Sequence, residues 1–466
     1  MSLFRTKNLD NMVAAAGKPS GLKKVLGPFD LILMGIGAIV GTGIFVLTGT
    51  GALTAGPALT LSFVVSAIAC GFAALCYAEF ASTVPVAGSI YTYSYVVLGE
   101  LVAWMIGWDL LLEYGLATSA VSVGWSGYFQ SLIGGFGIEI PKALSAAPGA
   151  LPGVSTVMNL PALLIMLVLT AMLSWGVRES ARVNNVMVVI KISVVLLFIL
   201  FGFGHVNTDN WQPYAPFGAS GVMSAAALVF FAFIGFDAVT SAAEEVKNPT
   251  RDLPVGIIGS LAICTILYVV VAAIMTGIVP HLDFRGVDHP VSLALQVAGE
   301  NWVAGFVDLA AILGMSTVIL VMAYGQTRIL FAMSRDGLLP AKLSTVHPKY
   351  GTPYFATWLV GIVFGVIAAF VPLNVLAELV NIGTLAAFCL VSVAVVVLRK
   401  KRPDLKRAFR CPGVPVVPAI AVIFCLVLMS FLSAITWIAF LIWLAIGLLV
   451  YFGYARSRSL LHGVTQ

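Results

Sequence analysis

Long apolar runs are the feature of this sequence that most restricts its fold. One of them, VMVVIKISVVLLFILF at residues 186–201, contains a single charged residue, and comparable runs recur along all 466 residues. About 20 apolar residues make one helical passage through a bilayer. Only helices and closed barrels satisfy every backbone polar group in hydrocarbon, and these runs are too long and too little alternating for barrel strands. The sequence therefore predicts an all-α integral membrane protein.

The composition agrees with this class of protein. The chain is 60% hydrophobic and 10% charged, whereas a soluble domain is about 25% charged. Its six cysteines contain no Cys-x-x-Cys pair, so we expect free thiols and no zinc site. No cofactor or metal is predicted, and the five histidines, all in predicted loops or tails, are expected to be solvated.

We predict twelve transmembrane helices between a segment at residues 1–28 and a tail at 456–466. The lysines and arginines set their orientation, because cytoplasmic loops carry an excess of both. With the N-terminus inside, only Lys142 and Arg285 of the 25 basic residues fall outside, and Lys191 lies within a span. Both termini are therefore expected in the cytoplasm, and the net charge of +5 reflects topology, not nucleic-acid binding. The spans are predicted to begin near Asp30, Ala58, Leu98, Leu160, Asn184, Val222, Val255, Asn301, Tyr354, Leu376, Val414 and Thr436.

Glycines interrupt the first span where a membrane helix should be most regular. The segment IGAIVGTGIF, residues 36–45, contains Gly37, Gly41 and Gly43, and GAIVG alone also fits a helix-packing face. The sixth span, VFFAFIGFDAVTSAAEEV at residues 229–246, has Gly235 midway and Asp237 just after. Paired interruptions at matching positions of two halves point to a transporter binding site.

A broken membrane helix offers the chemistry that binds a zwitterion. The break frees amides that attract a carboxylate and carbonyls that accept from an ammonium group. Glycine has no Cβ, so a ligand can approach the backbone closely. The two breaks are therefore expected to bind the α-groups of an amino acid.

Four segments of the chain carry a family resemblance. They are IGAIVGTGIF at 36–45, FFAFIGFDAV at 230–239, EEVKNPTRDLP at 244–254 and ILFAMSRDGLLP at 329–340. On these, residues 28–455 resemble the amino acid–polyamine–organocation superfamily, most closely bacterial members of the cationic amino acid transporter family. The resemblance implies the five-plus-five inverted-repeat fold of leucine transporters, with repeat one at 29–204, repeat two at 222–398 and two extra helices at 413–455.

The resemblance also implies a function and a binding site. It implies a secondary active transporter that imports L-α-amino acids across the plasma membrane by alternating access, with cationic substrates (arginine, lysine, ornithine) or small neutral ones. Glu113 or Asp237 would receive a cationic end, whereas Met322 and phenylalanines would favour alanine-sized substrates. Phe231 or Phe236 would gate the site. The residues implied to hold the α-groups are Ile39, Val40, Gly41, Thr42, Gly43 and Ile44 in the first break and Phe231, Ala232 and Ile234 in the second.

Lys191 is the one basic residue placed inside a predicted span. It could extend to the cytoplasmic edge of the bilayer, or it could gain and lose a proton and so couple transport to the proton gradient. In proton-coupled relatives a lysine of the fifth span occupies the place of a sodium ion. The resemblance then implies the Gly37–Val40 carbonyls and Ser316 or Thr317 of the eighth span as its neighbours.

Several carboxylates also lie in or near the spans. Asp109 and Glu113 are four residues apart and share a helix face, which leaves open a cationic substrate, a proton relay or a structural partner. Asp308 and Glu378 are expected to be solvated at outer ends. Glu79 is expected to pair with loop arginines at an inner end.

Other function classes find little support in the sequence. No histidine lies in a predicted span, and the metalloprotease, nucleophile-elbow and P-loop motifs are missing, which argues against an enzyme or an ATP-driven pump. A sodium-independent exchanger and a non-transporting amino acid sensor stay as alternatives. The expected partners are an L-amino acid, protons and membrane lipids; no nucleic acid is expected, and protein partners are not indicated.

Overall fold

The computed structural model describes residues 26–83, 91, 94–95, 97–151, 153–176, 181–236, 239, 246–405, 407 and 409–460. Over these residues the chain is helical and has no β-strand; its one β-bridge joins Leu26 to Val246. The prediction of an all-α protein is confirmed for this part of the chain.

Three helical pieces form the first predicted span: α1 (Pro28–Ile39), α2 (Thr42–Phe45) and α3 (Leu47–Ala55). The helix α1 has a proline in its first turn, where an amide would have no partner within the helix anyway. The same holds for the helices that begin at Leu160, Pro249 and Pro290. The remaining helices are α4 (Leu59–Thr83), α5 (Glu100–Gly134), α6 (Leu160–Ser174), α7 (Ala181–Phe203), α8 (Gly218–Val229), α9 (Pro249–Ile278), α10 (Pro290–Val297), α11 (Asn301–Arg335), α12 (Tyr354–Phe370), α13 (Leu373–Lys401), α14 (Val416–Ser430), α15 (Ala434–Val450) and α16 (Arg456–Arg458).

Length and apolar character identify the helices that could cross a membrane. Among the described residues, seven helical segments are long and apolar enough, and five shorter apolar helices accompany them. The shorter ones are Pro28–Ile39, Leu160–Ser174, Gly218–Phe233, Tyr354–Phe370 and Val416–Ser430. This pattern is that of an integral membrane protein; the count of twelve spans stays a prediction.

Two long helices, α5 and α11, pack along each other through the middle of the molecule, and α9 packs against both α1 and α4. Small residues allow the close approaches. A Cβ on Gly35 of α1 would lie 2.4 Å from Ser260 Oγ of α9. The interrupted first span is therefore held between neighbouring helices, with its backbone inside the protein.

Glu79 at the end of α4 is the centre of an ion-pair network. Its carboxylate accepts from Arg399 Nε at 2.9 Å and Nη2 at 2.6 Å, and lies 3.3 Å from Arg407 Nε. The amide of Cys411 donates to it as well, at 2.8 Å. The expectation that Glu79 pairs with loop arginines is confirmed.

The C-terminal helical segment is bound to the start of α5. Glu100 accepts hydrogen bonds from the hydroxyls of Tyr451 at 3.0 Å and Ser459 at 2.7 Å. The amide of Leu460 donates to the Asp336 carbonyl at 3.2 Å. We call this contact of residues 451–460 the C-terminal clasp.

The expectation that Asp308 is solvated was wrong. Its side chain is 3% exposed, and Ser131 Oγ of α5 donates to Asp308 Oδ2 at 2.8 Å. The reason is that α5 runs beside α11 at this level and covers it. Glu378 is also engaged: it accepts hydrogen bonds from the Ser433 and Thr436 hydroxyls at 2.6 Å each, at the start of α15.

Candidate functional site

The first helix break lies where the sequence predicts it. The helix α1 ends at Ile39, and Val40 has an extended backbone with φ −75° and ψ 103°. Gly41 is also extended, with φ −160° and ψ −140°, and the chain becomes helical again at Thr42. The first amides of α2 have no acceptor within the helix, because no helical turn precedes them.

The second break follows α8. A 3₁₀ turn, Phe230–Phe233, continues that helix, and Ile234 is then extended with φ −65° and ψ 137°. Gly235 has φ 112°, a conformation that favours glycine. Asp237, the acidic candidate of this segment, lies outside the described residues.

The two breaks touch each other backbone to backbone. A Cβ on Gly43 would lie 2.2 Å from Ala232 Cα, and a Cβ on Gly235 would lie 2.9 Å from the Ala38 carbonyl oxygen. Each break therefore contributes a glycine that meets the other break. Close approach between the breaks explains both glycines.

A small cavity lies where the breaks cross. Its volume is about 20 Å³, which holds a water but not an amino acid, so a substrate enters only if the surrounding helices move apart. Of the predicted residues, Ile39, Gly41, Thr42, Gly43, Phe231, Ile234 and Met322 line it. The lining also includes Ala38, Ala117, Val121 and Val318, which the sequence did not single out.

Five other candidates are not part of the described lining of this cavity. Val40, Ile44 and Ala232 are buried in the breaks, but they are not part of the described lining. Glu113 is buried in α5 and is not part of that lining either. Asp109 is also buried; its Oδ1 has no hydrogen-bond partner in the described structure and faces Gly383 of α13.

The side chains around the cavity are almost all apolar. Among the described lining residues, Thr42 has the polar side chain, and its hydroxyl donates to Met315 Sδ at 3.3 Å. The polar groups that can meet a ligand are therefore mainly those of the backbone. Such a site suits a ligand whose charged groups meet helix ends while its body contacts apolar side chains.

Lys191 of α7 satisfies one of the carbonyls at the end of α1. Its Nζ donates to the Gly37 carbonyl oxygen at 2.9 Å, and the residue is 1% exposed. Gly314 of α11 leaves room for its stem, because a Cβ there would lie 2.7 Å from Lys191 Cε. Lys191 therefore does not extend to the bilayer edge, since its ammonium group lies in the interior at the first break.

The predicted hydroxyl neighbours of Lys191 form hydrogen bonds of their own. Ser316 donates to the Ile312 carbonyl and Thr317 to the Gly314 carbonyl, both at 2.8 Å. Trp125 Nε1 donates to Ser316 Oγ at 3.0 Å. Their oxygens keep lone pairs that can accept a further hydrogen bond.

Three polar side chains that the sequence analysis missed satisfy further carbonyls of the breaks. The Tyr268 hydroxyl of α9 lies 3.0 Å from both the Ile39 and the Ala232 carbonyl oxygens. Asn381 of α13 donates to the Ala227 and Leu228 carbonyls at 2.8 and 2.9 Å, and Tyr128 of α5 donates to that of Phe45. A polar residue in an apolar run was the signal that could have found Tyr268 and Asn381.

Comparison with known proteins agrees with the site. The family described as amino acid permease matches residues 26–452. The branched-chain amino acid permease BcaP of Bacillus subtilis is 64% identical over 99% of both chains. The methylthioribose transporter of the same species is 54% identical over 99% of both chains. The cationic amino acid transporter 4 of Arabidopsis thaliana is 39% identical, covering 86% of this chain and 68% of the relative.

The apolar helices and the cavity between two broken helices define an integral membrane protein of the permease class. The chain belongs to the amino acid permease family of the amino acid–polyamine–organocation superfamily. Its relatives are named permeases and transporters rather than enzymes.

Proposed function

We propose that this protein is a proton-coupled secondary active transporter that imports neutral, apolar L-α-amino acids by alternating access. The observation that carries the proposal is the crossing of two broken helices at an apolar cavity. Gly43 meets Ala232 there, and Gly235 meets Ala38. This reciprocal contact supports two inverted repeats at 29–204 and 222–398, because equivalent helices of such repeats cross at the substrate.

In this proposal the α-groups of the substrate bind the two breaks. The amides of Thr42, Gly43 and Ile44 at the start of α2 would meet the carboxylate, and carbonyls at the ends of α1 and of the Phe230–Phe233 turn would accept from the ammonium group. Each α-group would then meet backbone atoms that have no partner within their own helix.

The substrate side chain would lie among Ala117, Val121, Val318 and Met322. These residues are apolar, and no carboxylate is part of the described lining, so an aliphatic side chain would be better accommodated than a guanidinium or ammonium group. The name of the B. subtilis branched-chain permease points the same way. We therefore favour branched-chain and small neutral amino acids over arginine, lysine or ornithine.

Lys191 would couple transport to protons. Its charged form makes a charge-assisted hydrogen bond to Gly37, about twice as strong as a neutral one. Loss of the proton would weaken this bond and let the inner half of the first span move away. Substrate and proton would then reach the cytoplasm together.

We further propose twelve spans in the plasma membrane with both termini in the cytoplasm. The five shorter apolar helices, added to the seven long ones, would complete that count. The basic residues at the end of α13, Arg399, Lys400 and Lys401, would then lie on the cytoplasmic side.

Uptake into proteoliposomes tests the proposal. We expect saturable uptake of radiolabelled L-isoleucine that increases with an inward proton gradient and does not change with sodium. Its amide and N-acetyl derivatives should compete at least tenfold less well, because each leaves buried polar atoms unpaired at about 1–3 kcal/mol. Binding without uptake would favour a sensor, and uptake only against internal amino acid would favour an exchanger.

Two competitors sharpen the substrate class. L-arginine should compete weakly, and strong competition by it would restore the cationic preference that the family resemblance implies. Methylthioribose belongs in the same panel because a relative transports it by name. It has no α-carboxylate, so its competition at isoleucine-like concentrations would contradict binding through the α2 amides.

A further inference from the structure

A second cavity lies where α11 passes the end of α6 and the start of α12. Its volume is about 10 Å³, room for one water-sized group. It shares no lining residue with the cavity at the helix breaks. Its polar lining consists of Tyr324, Thr327, Arg328, Thr352 and Thr357.

Arg328 brings a positive charge to this cavity, and none of the described carboxylates forms an ion pair with it. Its Nε is fully buried and has no hydrogen-bond partner in the described structure. Ion pairs among the described residues engage Arg399, Arg402 and Arg407 instead. Burying a charge without a partner is unfavourable, so the cavity is suited to a negatively charged group.

The contact that Arg328 does make is with an aromatic ring. Its guanidinium carbon lies 4.8 Å from the centroid of the Tyr324 ring, one turn earlier on α11. A ring face attracts a cation, but it cannot accept the directional hydrogen bonds that a guanidinium group offers. The donor capacity of Arg328 is therefore still available to an oxyanion.

The start of α12 adds to the positive potential. This helix of 17 residues begins at Tyr354, and its first amides have no acceptor within the helix. The helix N-terminus carries a partial positive charge that favours an anion. The arginine and the helix end thus favour the same sign of charge.

The hydroxyl protons of the neighbouring threonines are used in hydrogen bonds to backbone carbonyls. Thr327 donates to the Tyr324 carbonyl at 2.7 Å, Thr352 to that of Ser174 at 2.7 Å, and Thr357 to that of Pro353 at 3.0 Å. Because these hydroxyl protons are used, the threonines can accept from hydroxyl groups of a ligand. An oxyanion that also carries hydroxyls would satisfy both kinds of group.

Aromatic and basic side chains near the cavity indicate its depth in the membrane. The Tyr354 ring lies 6.3 Å from the rings of both Tyr350 and Trp358. Lys342 Nζ lies 4.2 Å from the centroid of Phe355. Tyrosine, tryptophan and lysine are enriched at the lipid headgroup level. These side chains are therefore typical of the level at which phosphate groups of lipids are concentrated.

We propose that this cavity binds one oxygen of a phosphate group, supplied by an anionic phospholipid, with Arg328 as the donor. The site holds a single oxygen, and the rest of the headgroup lies outside it. Free phosphate shares this chemistry, but the aromatic and basic surroundings favour the lipid. The inference does not depend on the proposed substrate or coupling ion.

An acidic residue of the chain itself is the competing anion. Glu179 lies outside the described residues and follows Gly176, a lining residue of the cavity, by three positions. Three residues of extended chain span at most about 10 Å. Glu179 is therefore a candidate partner of Arg328 that the experiment has to include. A Glu179→Gln variant separates an internal ion pair from a lipid.

The experiment compares the wild type with Arg328→Gln and with Lys349→Gln. Lys349 is an exposed basic residue of the loop between α11 and α12. Its variant therefore controls for non-specific attraction to an anionic surface. Each purified protein is placed in phosphatidylcholine nanodiscs with or without phosphatidylglycerol, or with inorganic phosphate added. The measurements are the unfolding temperature and the number of phosphatidylglycerol molecules retained in native mass spectrometry.

We expect phosphatidylglycerol to raise the unfolding temperature of the wild type and of Lys349→Gln but not of Arg328→Gln. Its apparent affinity should fall about ten- to a hundredfold in Arg328→Gln, as for the loss of a hydrogen bond to a charged group. Arg328→Lys keeps the charge and provides a second folded variant, for which we expect an intermediate loss.

Three outcomes would overturn the proposal. Equal phosphatidylglycerol effects in Arg328→Gln and Lys349→Gln would show that no specific site exists. If inorganic phosphate alone raised the unfolding temperature of the wild type but not of Arg328→Gln, the ligand would be a free anion rather than a lipid. Equal destabilisation of Glu179→Gln and Arg328→Gln in pure phosphatidylcholine, with no lipid effect on the wild type, would identify an internal ion pair.

Discussion

The two helix breaks resemble each other in backbone but differ in the side chains that satisfy them. At the first break, the buried ammonium group of Lys191 donates to the Gly37 carbonyl at 2.9 Å. At the second, the amide group of Asn381 donates to the carbonyls of Ala227 and Leu228. Tyr268 lies between the breaks, with its hydroxyl 3.0 Å from a carbonyl oxygen of each.

This difference would give the two breaks different roles in the proposed transport cycle. An ammonium group can lose its proton and weaken its hydrogen bond, whereas an amide cannot. Under the proposed coupling, and as far as the described residues extend, the first break would therefore respond to protons and the second would stay fixed. A chain with two similar breaks can in this way release one of them without loosening the other.

Replacing Lys191 is expected to have the largest effect on this comparison. Lys191→Ala should abolish accumulation of amino acid driven by a proton gradient, because no group then exchanges the proton at the first break. Asn381→Ala is the matched variant: it should lower the uptake rate and keep its pH dependence. The measurement is proteoliposome uptake at several pH gradients, and normal gradient-driven uptake by Lys191→Ala would contradict the assignment.

A methyl group at the crossing of the breaks should have the next largest effect. A Cβ on Gly43 would overlap the Ala232 backbone, whereas one on Gly41 would make only an ordinary contact, at 3.5 Å from Val318. We expect Gly43→Ala to weaken isoleucine binding at least tenfold and Gly41→Ala to change it much less. Calorimetry on the purified variants measures both, and similar losses in the two would show that the close approach is not what matters.

Removing the Tyr268 hydroxyl should act on both breaks, with a smaller effect. Tyr268→Phe leaves two buried carbonyls without this donor, and one unsatisfied buried group costs about 1–3 kcal/mol. We expect a lower unfolding temperature together with retained proton dependence. If Tyr268→Phe instead lost proton dependence, the tyrosine would belong to the coupling group with Lys191.

The hydroxyls of α11 should matter least. Ser316 and Thr317 each donate to a carbonyl of their own helix, and Lys191 donates to the Gly37 carbonyl, which Ser316→Ala and Thr317→Val leave in place. We expect the proton dependence of uptake to change less than twofold in either variant. A shift as large as that of Lys191→Ala would return these hydroxyls to the coupling site that the family resemblance implies.

The sequence predicted the backbone of the site better than its side chains. Glycines in an apolar run are unusual enough to locate both breaks, and a lone charge is unusual enough to locate Lys191. Ala117, Val121 and Val318 could not be found in this way, because an apolar residue that lines a cavity looks like any other residue of an apolar helix. Their role depends on which helices α5 and α11 face, which is a property of the tertiary structure.

For buried polar residues, too, the sequence shows the residue type, whereas the tertiary structure decides its surroundings. Asp308 was expected in solvent because position along a span was the only guide, and the packing of α5 against α11 decided otherwise. Tyr268 and Asn381 were visible as polar residues in apolar runs, but their partners are backbone carbonyls that become free only through the breaks. A search for such residues opposite predicted breaks would have found both.

The C-terminal clasp has a practical consequence for handling the protein. Tyr451 and Ser459 provide hydroxyl donors to the buried carboxylate of Glu100, and a Cβ on Gly337 would touch the Arg458 carbonyl oxygen, so the backbone at Arg458 lies tightly against the loop after α11. A purification tag or fluorescent fusion attached there without a spacer would pull on this contact. Expression vectors should therefore keep every residue up to Leu460 and place a flexible linker after it.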